Sequence, residues 1–181
     1  LAAAPTAGAT LTAGDGTDTL GMAKASYTTV AAYSTTNLAK ITGFEVLSIT
    51  DVLATADSID VSKIAGITSF KAAAGITTGN TATVSNLGVN STVELAGAAG
   101  NNGTLTANLK TDTTADTMTL KLNKDYTDNN DTIIDARAAS HTVVAATVET
   151  LNVVSTGNMA TITPVAGYKA DLVTNTLTLD G

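Results

Sequence analysis

The sequence predicts an all-β fold of short strands stacked as a parallel β-solenoid or β-helix-like array, with little helix. A β-sandwich or jelly roll is the alternative arrangement of the same strands. Three observations lead there. Threonine makes up about a fifth of the 181 residues, whereas aromatic residues are 3% and Trp is absent. The 44% apolar content is therefore mostly Ala, Val, Leu and Ile. Thr and Val favour strands, and small side chains suit strands layered too closely for rings. Apolar and polar residues alternate with period 2 over residues 81–87, 116–122 and 174–179, the pattern of half-buried strands. A strand motif also recurs. Ile41-Thr42-Gly43-Phe44-Glu45-Val46-Leu47-Ser48-Ile49 matches Ala146-Thr147-Val148-Glu149-Thr150-Leu151-Asn152-Val153. Weaker echoes stand at Ile67-Thr68-Ser69-Phe70-Lys71-Ala72 and Thr92-Val93-Glu94-Leu95. One such rung cannot bury its apolar face alone, but stacked rungs make a continuous core. The spacing is irregular, so insertions of variable length separate the rungs.

The elements follow in chain order. Ala13-Gly14-Asp15-Gly16-Thr17-Asp18-Thr19-Leu20 reads as a glycine-aspartate turn running into a strand, with Leu20 pointing inward. Residues 22–40 are ambiguous, because Ala-rich runs compete with β-branched Thr and Val. Residues 58–65 predict one short helical turn capped by Ser58, with Asp60 favouring its N-terminus. Gly97-Ala98-Ala99-Gly100-Asn101-Asn102-Gly103 is turn chemistry. The chain forms one elongated domain over 1–181 or two lobes, 1–110 and 111–181. It has no initiator Met and no signal peptide, which reads as a module of a larger protein.

Charge and composition exclude several classes. The net charge of −7 leaves no basic stripe for nucleic acid. Nine scattered Lys and Arg give no polybasic membrane patch, and no run of 18 apolar residues would insert into a membrane. Cysteine is absent, which fits a bacterial surface protein better than a disulfide-built eukaryotic one.

Clustered carboxylates are the chemistry the sequence offers. Asp15 and Asp18 supply hard oxygen ligands in a turn close to the nonapeptide calcium repeat, with Ala13 in place of its first Gly and only one copy present. Asp125, Asp128 and Asp131, with Asp135 beyond, form a second acidic loop. Its EF-hand match fails where Asn130 stands for the loop Gly and Ala136 for the bidentate Glu. Asp112 with Asp116, and Asp51 with Asp57 and Asp60, are further pairs and triplets. Each has an alternative reading as turn chemistry. His141 is the one histidine; beside Ser140 it makes neither a triad nor a zinc site. Glu45, Glu94 and Glu149 recur in the strand motif, and the sequence predicts that they bond neighbouring backbone or Lys rather than cleave glycosides. Asn90-Ser91-Thr92, Asn102-Gly103-Thr104 and Asn130-Asp131-Thr132 fit the glycosylation sequon, a common chance match in an Asn- and Thr-rich chain. No catalytic residue is assigned, and the chain is read as no enzyme.

The order of Gly14-Asp15-Gly16-Thr17-Asp18-Thr19-Leu20, Gly43-Phe44-Glu45-Val46-Leu47, Asp116-Thr117-Met118-Thr119-Leu120 and Val148-Glu149-Thr150-Leu151-Asn152-Val153 resembles the calcium-binding S-layer proteins of Gram-negative bacteria, of the RTX, type I-secreted kind. The resemblance covers most of the chain. It implies an extracellular, cell-surface location, Ca2+ as the ion, and self-association into a lattice, with any hold on cell-surface polysaccharide made elsewhere in the parent protein. The alternatives are an adhesin or biofilm module that binds glycans and a polysaccharide-active enzyme on a β-helix.

Overall fold

The computed structural model describes residues 3–96, 102–122, 142–145, 148–155 and 176–178. The chain is mostly strand, and every strand pairing among these residues is parallel.

A first sheet has six strands: β2 (Thr19–Met22), β4 (Val46–Ile49), β6 (Ser69–Ala72), β8 (Thr92–Leu95), β10 (Thr117–Leu122) and β12 (Thr150–Ser155), neighbours in that order. A second has five: β5 (Ser58–Asp60), β7 (Ile76–Leu87), β9 (Asn102–Leu109), β11 (Thr142–Val144) and β13 (Thr176–Thr178). From β4 onward, successive strands alternate between the two sheets. A short pair, β1 (Leu11–Thr12) with β3 (Ile41–Thr42), lies ahead of β2 and β4 in the chain. The recurring strand motif and its echoes, three of which carry Glu, all fall in the first sheet. The pairings of β8 with β10 and of β9 with β11 carry both sheets past residue 110.

Register converts period-2 patterning into a core. Leu20 sits beside Leu47, Leu47 beside Phe70, Phe70 beside Val93 and Val93 beside Leu120, and all five are buried. Met22, Ile49, Ala72 and Leu95 form the next buried row. In the second sheet, Ile59, Val84 and Ala107 line up, and so do Ala82, Leu105 and Val143. Each buried Leu, Ile, Val or Phe is worth about 1.5–3 kcal/mol, so the aligned rows supply the cohesion that no single short strand holds.

Two glycines are required by close contact between neighbouring strands. Gly43 has φ +79, and a Cβ there would lie 2.9 Å from the Ala13 carbonyl oxygen, just past β1. Gly103 lets β9 cross the irregular start of β7, where a Cβ would stand 2.5 Å from both Ile76 Cγ2 and the Thr77 carbonyl oxygen.

The ambiguous stretch contains two helices, α1 (Lys24–Ala31) and α2 (Thr35–Leu38). Ser34 caps α2 through its side chain, which accepts from the Asn37 N–H. α1 has no local side-chain cap; Asp51, from the loop after β4, accepts from the Lys24 N–H at 2.8 Å instead. α1 in turn blunts the edge of the second sheet. The Tyr27 hydroxyl accepts from the Asp60 N–H at 2.7 Å and donates to the Asp60 carbonyl at 3.0 Å. One phenol thereby satisfies both main-chain groups of an edge-strand residue, the groups that otherwise invite pairing with another chain.

The predicted helical turn at 58–65 starts later than expected. Ser58 opens a strand, and the turn is a 3-10 segment, Val61–Lys63, with Asp60 as its N-cap. Asp60 takes the cap because its carboxylate accepts from Ser62 N–H at 3.0 Å, while pairing with β7 holds Ser58 extended.

Candidate metal centre

The corner where the chain enters the first sheet holds the acidic chemistry. Asp18 immediately precedes β2, and Glu45 immediately precedes β4. Because Thr19 pairs with Val46, Asp18 and Glu45 are neighbours at the heads of adjacent strands. Glu45 Oε2 accepts from the Asp18 N–H at 2.9 Å, and the Asp18 carbonyl accepts from the Glu45 and Val46 N–H groups at 3.1 and 3.0 Å. The Glu carboxylate thus continues the ladder past the last regular pair.

The same brace recurs further along. Asp116 precedes β10, Glu149 precedes β12, and Glu149 Oε2 accepts from the Asp116 N–H at 2.7 Å. The two corners differ in how the Asp carboxylate is satisfied. Asp116 is 1% exposed and accepts from the Thr113 N–H at 2.6 Å and the Thr113 hydroxyl at 2.8 Å. At the first corner the residue three positions earlier is Asp15, which has no hydroxyl to give. Asp18 Oδ2 is buried, and no donor among the described residues reaches it. The ion pairs Lys24–Asp57 (2.9 Å) and Lys71–Glu94 (2.7 Å) lie elsewhere.

A buried carboxylate oxygen without a donor is costly. A hard cation relieves that cost. Asp15 lies in the exposed turn before this corner. Among the described residues, no three Asp, Glu or His side chains converge on one point, so an ion here would draw much of its shell from backbone carbonyls and water.

The other predicted acids are placed as follows. Asp112 is exposed, next to a corner that Thr113 already satisfies. Asp51 caps α1. Asp57 accepts from the Ala54 N–H at 2.6 Å and pairs with Lys24. Asp60 accepts from Ser62 and from the Asn86 amide at 2.8 Å. Burial pushes its carboxyl upward, but the hydrogen bonds from Ser62 and Asn86 and the charge of Lys63 outweigh that and hold it below its ordinary value. Asp125, Asp128, Asp131 and His141 lie outside the described residues. The three motif glutamates do what their spacing predicted: Glu45 and Glu149 bond backbone, and Glu94 pairs with Lys71.

Sequence reasoning paired Asp15 with Asp18 and missed Glu45 as the neighbour of Asp18. The available signal was the shared frame of the two motifs, since Asp-Thr-Leu and Glu-Val-Leu each place an acid directly before an alternating strand. No family model, curated protein or solved structure matches this chain.

Proposed function

We propose that this chain is a calcium-stabilised structural module of a self-assembling bacterial surface layer, wound as a parallel β-solenoid and working outside the cell. The passage of successive strands between two parallel sheets supports the winding. The observation that carries the ion is the buried, donorless Asp18 Oδ2, on the residue whose N–H the Glu45 carboxylate accepts. Asp18 and Glu45 would hold Ca2+, with Asp15 near enough in sequence to contribute from the turn. The ion would satisfy Asp18 Oδ2 and pin β2 to β4, adding stability without taking part in a reaction. Cysteine-free, threonine-rich, acidic composition fits such a module, and no helix among the described residues is long and apolar enough to cross a membrane.

The test is a calcium titration of the purified chain, followed by thermal melting and light scattering together. An ion that binds only the folded state adds about 2.7 kcal/mol at a hundredfold excess over its Kd, which for a chain of this size raises the melting temperature by roughly 5–10 °C. An unchanged melting temperature between millimolar calcium and chelator removes the ion from this reading. Stabilisation without a rise in scattering removes the lattice.

A further inference from the structure

The turn that carries the chain from β1 into β2 is held at both ends and open between them. The Ala13 N–H donates to the Thr42 carbonyl at 3.0 Å, and the Asp18 N–H donates to Glu45 Oε2 at 2.9 Å. Gly14, Asp15, Gly16 and Thr17, between these ties, are exposed. Gly16 has φ +116, and a Cβ built on it would meet nothing within 4 Å. Among the described residues, neither the Gly16 N–H nor the Asp15 carboxylate has a hydrogen-bond partner.

An Asp or Asn directly before Gly has its side-chain carbonyl open to the next backbone nitrogen, because glycine puts no Cβ in the path. The described residues contain two such pairs, Asp15-Gly16 and Asn102-Gly103. In a free peptide the amide cyclises faster than the acid, so the sequence alone points to Asn102. The structure reverses that order. Gly103 is buried within β9, where Ile76 Cγ2 and the Thr77 and Asn80 carbonyl oxygens stand 2.5, 2.5 and 2.6 Å from the place of a Cβ. Its nitrogen swings toward the Asn102 side chain only if the strand opens. Two further acid or amide positions followed by a small residue are also tied. Ser91, after Asn90, donates its N–H to the Gly88 carbonyl at 3.2 Å, and Ser58, after Asp57, is paired with Thr83.

We propose that Asp15-Gly16 is a self-modifying site, where the folded chain converts aspartate to isoaspartate. The Gly16 nitrogen attacks Asp15 Cγ. A C–N bond forms and the Cγ–OH bond breaks. The amide hydrogen and the hydroxyl leave together as water, which gives a cyclic imide. Water then adds back and breaks one of the two C–N bonds of the ring. One product is the original aspartate. In the other, the main chain runs through Cβ and Cγ, and the free carboxylate sits directly on Cα. The mass is unchanged, and the turn ahead of the Asp18–Glu45 corner is longer by one carbon. Where Asp15 serves the ion proposed above, the conversion alters that contribution; the cyclisation itself does not depend on that reading.

The test is to hold the purified chain for days at mildly acidic pH, folded or unfolded in urea, and then to digest it. Trypsin releases residues 1–24 as one peptide, since Lys24 is the first basic residue. From the folded chain this peptide separates into two forms of equal mass, and electron-transfer fragmentation places the extra main-chain carbon at residue 15. Conversion of Asn102, read as a rise in mass when ammonia leaves, is at least tenfold slower in the same sample. In urea the order of the two sites reverses. Asp15 that stays aspartate in the folded chain but converts in urea overturns the proposal, and so does Asn102 that keeps pace with it in the folded chain. Asp15→Glu keeps the charge but lengthens the ring, and the second form disappears; a second form that persists belongs to Asp18 and overturns the assignment. Asp15→Asn reacts through the same ring at least tenfold faster, and no acceleration overturns it too. Conversion at equal rates in millimolar calcium and in chelator keeps this inference and leaves Asp15 out of the ion's shell. Slower conversion in calcium keeps both.

Discussion

The corners at Asp18 and Asp116 are built on one plan and finished differently. Each places an Asp directly before a first-sheet strand, and each ties the Asp N–H to a Glu carboxylate at the head of the neighbouring strand, at 2.9 and 2.7 Å. At the second corner Thr113 supplies two donors and the carboxylate is complete. At the first, Asp15 stands where Thr113 would, and Asp18 Oδ2 has no donor. The residue three positions upstream gives Asp116 both a backbone N–H and a hydroxyl, and gives Asp18 Oδ2 neither. A third corner shows the same economy, since Asp57 precedes β5 and accepts from the Ala54 N–H three residues earlier.

The largest effect expected from this difference is at Asp116. Asp116→Ala leaves the Thr113 N–H and hydroxyl without their acceptor and lowers stability by about 3 kcal/mol, read from urea unfolding. Asp18→Ala, measured in chelator, changes stability by less than about 1 kcal/mol, because little is bonded to its side chain. Equal losses at the two positions would erase the contrast. Next in size is calcium itself. The gain of roughly 5–10 °C expected for the unchanged chain disappears in Asp18→Asn and persists in Asp112→Asn; a calcium response unaffected by Asp18→Asn moves the site elsewhere. Smaller again is conversion of one corner toward the other. Asp15→Thr offers Asp18 a hydroxyl and removes a charge, which adds about 0.5–1 kcal/mol in chelator and weakens the calcium response. No gain in Asp15→Thr would place the difference in the backbone, where Gly16 has φ +116.

The smallest effect concerns Asp60, a carboxylate completed by protein donors as Asp116 is. Its folded pKa lies below the ordinary 3.8, because hydrogen bonds from Ser62 and Asn86 and the charge of Lys63 outweigh burial. The group therefore contributes stability in full above the ordinary value and loses it as pH falls through the lowered folded value. Ser62→Ala removes the 2.6 Å hydroxyl bond and moves the acid-unfolding midpoint slightly upward. A downward shift would contradict the assignment.

The motif Gly43-Phe44-Glu45-Val46-Leu47 and its echoes mark, in the sequence alone, four strands that share one sheet, because inward apolar positions at every second residue leave a direct trace in sequence. Strand β7 was legible over 81–87 for the same reason. Its first half, with the irregular pairing near Ile76 and Thr81, was not. The helices at 24–31 and 35–38 stayed ambiguous because their caps are partly remote: Asp51 is 27 residues from the Lys24 N–H it accepts from. The turn at 58–65 was misplaced by about one strand, since pairing of Ser58 with Thr83 overrides a local capping preference.

By itself the sequence determined the strand class, the inward rows of Leu, Ile, Val and Ala, the uncharged threonine positions, and the acids that stand before strands. These are local properties, set by alternation and residue size within a few positions. Only the tertiary structure decided which acid meets which. Asp18 meets Glu45 across 27 residues and Asp116 meets Glu149 across 33. The insertions between rungs differ in length, so no fixed period in the chain predicts these partners. Register between stacked strands does, and it is settled by the fit of buried rows against one another, a collective property that no short stretch of sequence carries.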